Sequence, residues 1–215
     1  MRACNPHAVV SRASKVFPEF DKLACGVLRR DPRAHLVLHK ADLDSTHEIF
    51  RDRLRRAGGD LPRVTFLPVQ PPHRLMYLYK TAHVILDSYP AGGCTTTREA
   101  LELGKAVVTW PARLLGGRWT LGLYRAIDLD EEAREALVAA SGEDYVAKAA
   151  ALGTDAGLRA RVERSVLAAV PNLFARRDAV EEWQKILLRT SPVRQCPDWK
   201  FTADKRQRPD RNEEL

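Results

Sequence analysis

One stretch near the middle of the sequence restricts the possible folds more than any other. It begins with a short apolar run, residues 84–86, and continues through a turn rich in proline and glycine, residues 90–93. Three threonines, Thr95–Thr97, stand where a helix would begin, and Gly104 stands where it would end. A second apolar run follows at 106–109. This order of strand, glycine turn, helix and strand predicts a βαβ unit of a parallel sheet.

The turn before this helix is a candidate anion site. A helix N-terminus carries free backbone N–H groups and the positive end of the helix dipole, and both favour a phosphate. Gly93 allows a ligand to approach the backbone, and Thr95 and Thr96 add hydroxyl donors. The same residues also suit a structural turn with a threonine N-cap, and the segment matches neither a Walker A loop nor the GxGxxG pattern. The pattern alone leaves both interpretations open.

The rest of the chain extends the βαβ pattern. Strands are predicted at 8–10, 35–39 and 64–67, and helices at 17–30, from Ser45 or Thr46 to 57, and from Pro71 or Pro72 to 81. Beyond residue 109 the pattern is almost entirely helical, at 118–126, 131–140, 143–152, 156–169 and 175–188. We therefore predict an α/β fold over residues 1–190: a Rossmann-like, doubly wound parallel sheet followed by C-terminal helices. Residues 191–215 have few apolar side chains and are expected to form a disordered tail.

Composition narrows the class of protein further. Of 215 residues, 45% are hydrophobic and 29% charged, which is typical of a globular protein with a sizeable core. The net charge of +7 is spread along the chain, so an anionic ligand is compatible with it but nucleic-acid binding is not favoured. The four cysteines lack metal-site spacing, no metal or cofactor is predicted, and no apolar run is long enough for a membrane span. These features predict an intracellular protein, cytoplasmic or nuclear, without a membrane partner.

Several charged residues are placed where a ligand of such a sheet would bind, beyond the carboxyl ends of the strands. Arg12 and Lys15 follow the first predicted strand and Lys40 follows the second, so each is either a diphosphate contact or a solvated cation. Glu99 is either a capping-box residue of the central helix or a carboxylate for ribose hydroxyls. Arg118 either binds a phosphate or caps the next helix.

The central stretch resembles a known family signature. The run from Leu86-Asp87 to Pro111, with its Gly-Gly-Cys-Thr-Thr-Thr-Arg-Glu core, is similar to the C-terminal catalytic lobe of the O-linked N-acetylglucosamine (O-GlcNAc) transferase and SPINDLY family. That signature reads approximately LD-x-x-P-x-x-G-x-T-T-x-x-(D/E)-x-L-x-x-G-x-P-x-V-T-x-P. Arg118 also matches, seven residues after the final proline, and the likeness extends over roughly residues 10–190.

The resemblance implies one lobe of a GT-B glycosyltransferase, a metal-independent, inverting enzyme. Its donor would be UDP-N-acetylglucosamine, or GDP-fucose in the SPINDLY branch, and its acceptor a protein serine or threonine. By position, Lys15 would contact the diphosphate, Thr95 and Thr96 would hold phosphate, and Glu99 would bind the ribose. Lys40 falls at an arginine position at the edge of the second strand.

This chain departs from the family pattern at several positions. Cys94 replaces the histidine before the threonines, Leu75 and Pro72 replace a histidine and a lysine, and Arg12 replaces a glutamine. The first lobe, which carries the family's candidate general base, and the repeat array are expected to be missing, so no catalytic residue is predicted. A partner would then supply the N-terminal lobe or the repeats.

Two alternatives remain open at this point. The chain could be a non-catalytic, Rossmann-like interaction module with an eroded donor site. It could also be a GT-B glycosyltransferase with a different acceptor.

Overall fold

The computed structural model describes residues 4–41, 43–174 and 176–190. The chain separates into two compact units, which divide between Ala175 and Arg176. The predicted tail at 191–215 lies outside the described residues.

The first unit is built on a five-stranded parallel sheet with the strand order β3-β2-β1-β4-β5. The strands span Asn5–Val9 (β1), Ala34–His39 (β2), Val64–Leu67 (β3), Val84–Leu86 (β4) and Val107–Val108 (β5). The order reverses between β1 and β4, the position at which doubly wound sheets bind ligands. The predicted α/β fold class is therefore confirmed.

Eight helices belong to the described part of this unit. They span Pro18–Arg30 (α1), Asp44–Arg56 (α2), Pro72–Thr81 (α3), Thr95–Glu102 (α4), Trp119–Ala126 (α5), Glu131–Leu137 (α6), Gly142–Thr154 (α7) and Ala156–Ala169 (α8). Helix α1 packs against α2 and α7, whereas α3 packs against α4, and α4 against α8. Right-handed crossovers place the two groups on opposite faces of the sheet. In the second unit, helix α9 spans Arg177–Thr190.

Local sequence explains where several of these elements begin or end. Proline occupies the first helical position of α1 and α3, where its missing N–H costs nothing. Gly104 ends α4 in the left-handed region, with φ of 69°. Strand β4 is buried at all three positions, as its wholly apolar sequence predicts, and burying each such side chain contributes about 1.5–3 kcal/mol.

The structure corrects the predicted ends of two elements. Helix α6 ends at Leu137, not at residue 140, because Val138 leaves the helix and forms a parallel bridge with Thr109, after which the Ala139 N–H donates to Thr109 O. Strand β1 begins three residues before the predicted position, at Asn5, because its first residues pair with β2. Asn5 is polar but finds a buried partner, Asp31, so the apolar pattern did not show it.

Candidate functional site

A cavity of about 410 Å³ opens at the carboxyl ends of β1, β2 and β3, beside the first turn of α4. This volume falls within the range of small-molecule sites. Its polar and charged lining includes Arg12, His39, Lys40, Gln70 and Thr96, and apolar side chains such as Leu75 complete the wall. Two predicted site residues, Lys40 and Thr96, therefore meet at one cavity, although 56 positions separate them in the sequence.

A buried carboxylate organises the loop between β4 and α4. Asp87 follows β4 directly and its Oδ1 accepts a hydrogen bond from the Gly93 N–H at 2.7 Å. Its Oδ2 accepts from the hydroxyls of Thr109, at 2.8 Å, and Thr120, at 2.7 Å. Burial raises the pKa of Asp87, while these donors and the Lys15 charge act in the opposite direction. The carboxylate thus joins the ends of β4 and β5 to the starts of α4 and α5.

Two glycines allow the loop between β4 and α4 to pack closely against Asp87 and the threonine hydroxyls. A Cβ on Gly92 would lie 2.9 Å from an Asp87 carboxylate oxygen. A Cβ on Gly93 would lie 2.7 Å from the hydroxyl oxygens of Thr96 and Thr97. Side chains at either position would therefore displace the carboxylate or the threonines.

The first turn of α4 lacks a side-chain cap. The N-cap residue is Cys94, whose side chain makes no capping hydrogen bond. Its backbone, with φ of −122° and ψ of −71°, lies outside the extended region in which N-cap side chains usually reach the helix N–H groups. The Gly93 N–H already donates to Asp87, so the donors that remain for a ligand are the N–H groups and threonine hydroxyls of the first turn. Of these threonines, Thr95 is exposed and Thr96 is half-buried. The structure therefore excludes the threonine N-cap, one of the two interpretations left open by the sequence, whereas the anion interpretation stays a prediction.

Lys15 lies next to this loop. It ends a short 3₁₀ turn, Ala13–Lys15, and its side chain is exposed. The following residue, Val16, forms a bridge with Pro90, which fixes the loop after β1 against the loop after β4. The Lys15 ammonium is also close enough to favour the ionised form of Asp87. An anion at the α4 start would therefore meet a cation from the neighbouring loop.

Lys40 has a partner in the described structure. Its Nζ donates to Asp44 Oδ1 at 2.8 Å, and the side chain is 42% exposed. The Asp44 carboxyl is almost fully exposed, so the pair is weak, and a ligand in the cavity can compete for the ammonium. His39, at the same strand end, has a pKa lowered by burial and by the Arg12 charge.

Glu99 is half-buried on the second turn of α4, and its Oε2 accepts a hydrogen bond from the Tyr79 hydroxyl at 3.1 Å. Tyr79 lies on α3 and is fully buried. The described contact of Glu99 is therefore to α3, and not to the N-cap backbone as a capping box requires. The other carboxylate oxygen is left to accept from a ligand.

Arg118 is exposed, and its Nη1 donates to Ala112 O at 3.2 Å. It precedes α5 directly, and the neighbouring Gly117 fits tightly against Pro90. The structure thus places Arg118 on the loop that closes against the β4–α4 turn, but not on the wall of the cavity.

The residues that sequence reasoning missed are Asp87 and Thr120. Asp87 was visible in the motif, as a carboxylate directly after a fully apolar strand, but its partners come from β5 and α5. Nothing in the local sequence around Thr120 indicated this role.

Within the described residues, no group of three or more histidine, cysteine or acidic side chains could hold a metal ion. Among the described helices, none is both long and apolar enough to cross a membrane.

No protein-family model matches the chain. It is 28% identical over 145 residues to the probable UDP-N-acetylglucosamine–peptide N-acetylglucosaminyltransferase SPINDLY of Solanum lycopersicum, covering 66% of this chain and 15% of that protein. An O-GlcNAc transferase variant from Thermobaculum terrenum superposes with a TM-score of 0.74 and 28% identity, over 88% of this chain and 36% of that one. Anabaena HepE in complex with UDP and glucose gives a TM-score of 0.62 at 16% identity, over 85% of this chain and 48% of that one, which shows the shared fold.

The chain therefore spans a small fraction of the curated relative, and about a third of the transferase that it superposes on. The chain is therefore similar in sequence to the O-GlcNAc transferase and SPINDLY family, and it has the fold of one GT-B glycosyltransferase lobe.

Proposed function

We propose that this chain is the donor-binding lobe of a protein O-glycosyltransferase, which binds a nucleotide sugar at the carboxyl edge of its sheet. The observation that carries the proposal is the first turn of α4, which has no side-chain cap and meets a cavity with cationic walls. Backbone donors at a helix start, together with Lys15, Arg12 and Lys40, favour a diphosphate.

The ligand's parts can be assigned to regions of the site. The diphosphate would lie at Thr95 and Thr96, within reach of Lys15. The ribose would lie toward Glu99, whose carboxylate accepts hydrogen bonds. The nucleobase would then occupy the cavity near Gln70 and Leu75. This order follows the connectivity of a nucleoside diphosphate.

The same groups would assist transfer. Direct displacement at the anomeric carbon expels a nucleoside diphosphate, on which negative charge develops. Donors that are fixed before the reaction stabilise this charge without reorganisation. In this proposal, Lys15 and the α4 start stabilise the leaving group, whereas the base that activates the acceptor hydroxyl comes from a second lobe.

The nature of the donor and acceptor belongs to the same proposal. Relatives named for UDP-N-acetylglucosamine and a fold neighbour bound to UDP support UDP-N-acetylglucosamine as the donor, and GDP-fucose is the second candidate. The acceptor would be a serine or threonine of a protein. We further propose an intracellular location, cytoplasmic or nuclear.

One observation favours a second candidate, a binding module without transferase activity. Leu75 lines the cavity where the family has a histidine, and Cys94 occupies the N-cap of α4 where the family has another. Both changes remove polar groups from the donor side.

Calorimetric titration tests the proposal directly. The chain is titrated with UDP, GDP, UDP-N-acetylglucosamine and GDP-fucose up to millimolar concentration. We expect binding of at least one of them, weakened at least tenfold in Thr95→Ala/Thr96→Ala because the hydrogen bonds to a charged phosphate are lost. Thr81→Ala, at the exposed C-terminal end of α3, is the matched control and should bind like the wild type. If the wild type binds none of the four, the donor-site proposal is wrong.

A further inference from the structure

We propose that Asp87 is a positioning residue of the nucleotide-diphosphate site, which fixes both ends of the three-residue segment 94–96 at the start of α4. This inference rests on the proposed function, because it assigns the segment to a diphosphate. Asp87 is buried and does not touch the ligand, but the geometry of the diphosphate site depends on it.

The first end of the segment is held directly. Asp87 Oδ1 accepts from the N–H of Gly93, the residue before Cys94. Gly93 is buried, and its missing side chain lets the threonine hydroxyls lie against it. The hydrogen bond therefore fixes the backbone orientation from which Cys94, Thr95 and Thr96 continue.

The other end is held through one intermediate. Thr97, the residue after Thr96, has its hydroxyl 3.2 Å from that of Thr120. Because the Thr120 hydroxyl donates its proton to Asp87 Oδ2, it is an acceptor toward Thr97. The proton order of this relay is therefore Thr97 to Thr120 to Asp87, and all three side chains are buried.

An ionised carboxylate is well suited to this position. Three donors converge on Asp87, which is 5% exposed, and the first turns of α4 and α5 both lie beside it. Charge-assisted hydrogen bonds are stronger than neutral ones, and helix N-termini favour a negative charge. A neutral amide has only one acceptor oxygen, so it cannot satisfy all three donors.

The hydrogen-bond donors at the α4 start therefore fall into two sets, those held by Asp87 and those available to a ligand. Asp87 accepts from the Gly93 N–H directly and holds the Thr97 hydroxyl through Thr120, so Thr95 and Thr96 between them stay available to a ligand. Loss of Asp87 should make the backbone of segment 94–96 more mobile without removing any group that touches the nucleotide.

Two variants and one control test this inference. Asp87→Asn removes the carboxylate at nearly constant shape, and Thr120→Val removes the relay to Thr97 together with one of the three donors to Asp87. Tyr124→Phe is the matched control, because it deletes a fully buried hydroxyl that donates to Val107 O near the same carboxylate and leaves the loop untouched. Each protein is measured for thermal unfolding, for amide hydrogen exchange of residues 93–97 without nucleotide, and for the Kd of UDP.

We expect faster exchange of residues 93–97 in Asp87→Asn and Thr120→Val, with the UDP Kd raised about tenfold and about threefold, respectively. Tyr124→Phe should lower the Tm but keep wild-type exchange in this segment and a UDP Kd within about twofold of wild type. If both variants exchange like Tyr124→Phe, the positioning role is refuted, whether or not nucleotide binds.

The outcomes separate the two proposals. A wild type that binds no nucleotide overturns the proposed function, whereas an unchanged Kd in well-folded variants of a binding wild type overturns only the role of Asp87. Should Asp87→Asn fail to fold, Thr120→Val still decides, because it retains the carboxylate and two of its three donors.

Discussion

Helix N-termini divide the described molecule into two regions. Helices α6, α7 and α8 each begin with a side-chain cap. The side-chain oxygens of Asp130, Ser141 and Asp155, respectively, accept a hydrogen bond from the backbone N–H three residues later in the chain. The N-cap residues of α1 to α5, which follow or flank the sheet, make no such bond. The capped helices satisfy their own donors and serve the fold, whereas α4 keeps donors available at the cavity.

The two ends of α4 show the same contrast within one helix. At its C-terminal end, the N–H groups of Gly104 and Lys105 return to the carbonyls of Leu101 and Ala100. The Lys105 ammonium also forms an ion pair with Glu163 on α8. That end is satisfied internally, so function is expected at the other.

Placing a negative charge at the α4 start should have the largest effect. Cys94→Asp adds a carboxylate beside the proposed diphosphate, and like charges at close range repel strongly in a partly dehydrated site. We expect the UDP Kd to rise about thirtyfold in calorimetry. Cys94→Asn, which has nearly the same shape but no charge, should stay within about threefold; equal losses in the two variants would contradict the charge argument.

Removal of the neighbouring cation should come second. Lys15→Gln should raise the UDP Kd about tenfold and make it less dependent on salt, because one charge-assisted contact is lost. Titrations at two ionic strengths provide the measurement. Lys22→Gln, an exposed lysine of α1, is the control and should leave both the Kd and its salt dependence unchanged.

Loss of a cap in the other region should affect stability alone. The Ser141 hydroxyl accepts from the Asp144 N–H at 3.1 Å, and Ser141→Ala should lower the free energy of unfolding by about 1 kcal/mol. Denaturant unfolding measures this change, while the UDP Kd should stay at the wild-type value. Ser141→Asp keeps an acceptor at the cap and should restore stability. A change in the UDP Kd in either variant would contradict the proposal that the capped helices affect stability alone.

A buried histidine that belongs to the structural region should affect stability only at acidic pH. His7 has Nδ1 2.9 Å from Asn5 O and Nε2 3.2 Å from Ala149 O, and burial lowers its pKa below 6.5. Between pH 6.5 and the lower folded pKa, the unfolded chain binds more protons, so acid reduces stability, by at most about 1.4 kcal/mol per pH unit. Above pH 6.5 this contribution to stability is fully present.

Unfolding measured from pH 7.5 to pH 5 tests this expectation. His7→Gln should lose part of the acid dependence. His73→Gln, which replaces an exposed histidine of α3, should keep it. If the free energy of unfolding falls equally between pH 7.5 and pH 5 in His7→Gln and in the wild type, His7 is not a source of acid sensitivity.

The sequence predicted the elements well wherever local signals determine them. Helix α4 was found from its glycine and threonine start and its Gly104 stop, and β4 from three apolar residues. It missed the first three residues of β1, 5–7, because their place in the sheet depends on pairing with residues 34–36 of β2. It also extended α6 through Val138, which instead pairs with Thr109.

For the site, local sequence supplied the candidates but not their contacts. Lys15, Lys40, Gly93, Thr95, Thr96, Glu99 and Arg118 were all named from the sequence, and their roles toward a ligand stay predictions. The structure adds that Lys40 pairs with Asp44, Glu99 accepts from Tyr79, and Arg118 donates to Ala112 O. Each of these partners depends on how separate segments pack, which no spacing rule contains.

By itself, the sequence determined the α/β class, the βαβ unit around residues 84–109 and the threonines at a helix start. Apolar periodicity, glycine and proline act over a few residues, so they can be read without the fold. Only the tertiary structure decided that Asp87 takes the Gly93 N–H and reaches Thr97 through Thr120. These residues come from three segments, and their contact exists only because β4, β5 and the helices that follow them meet at one edge of the sheet.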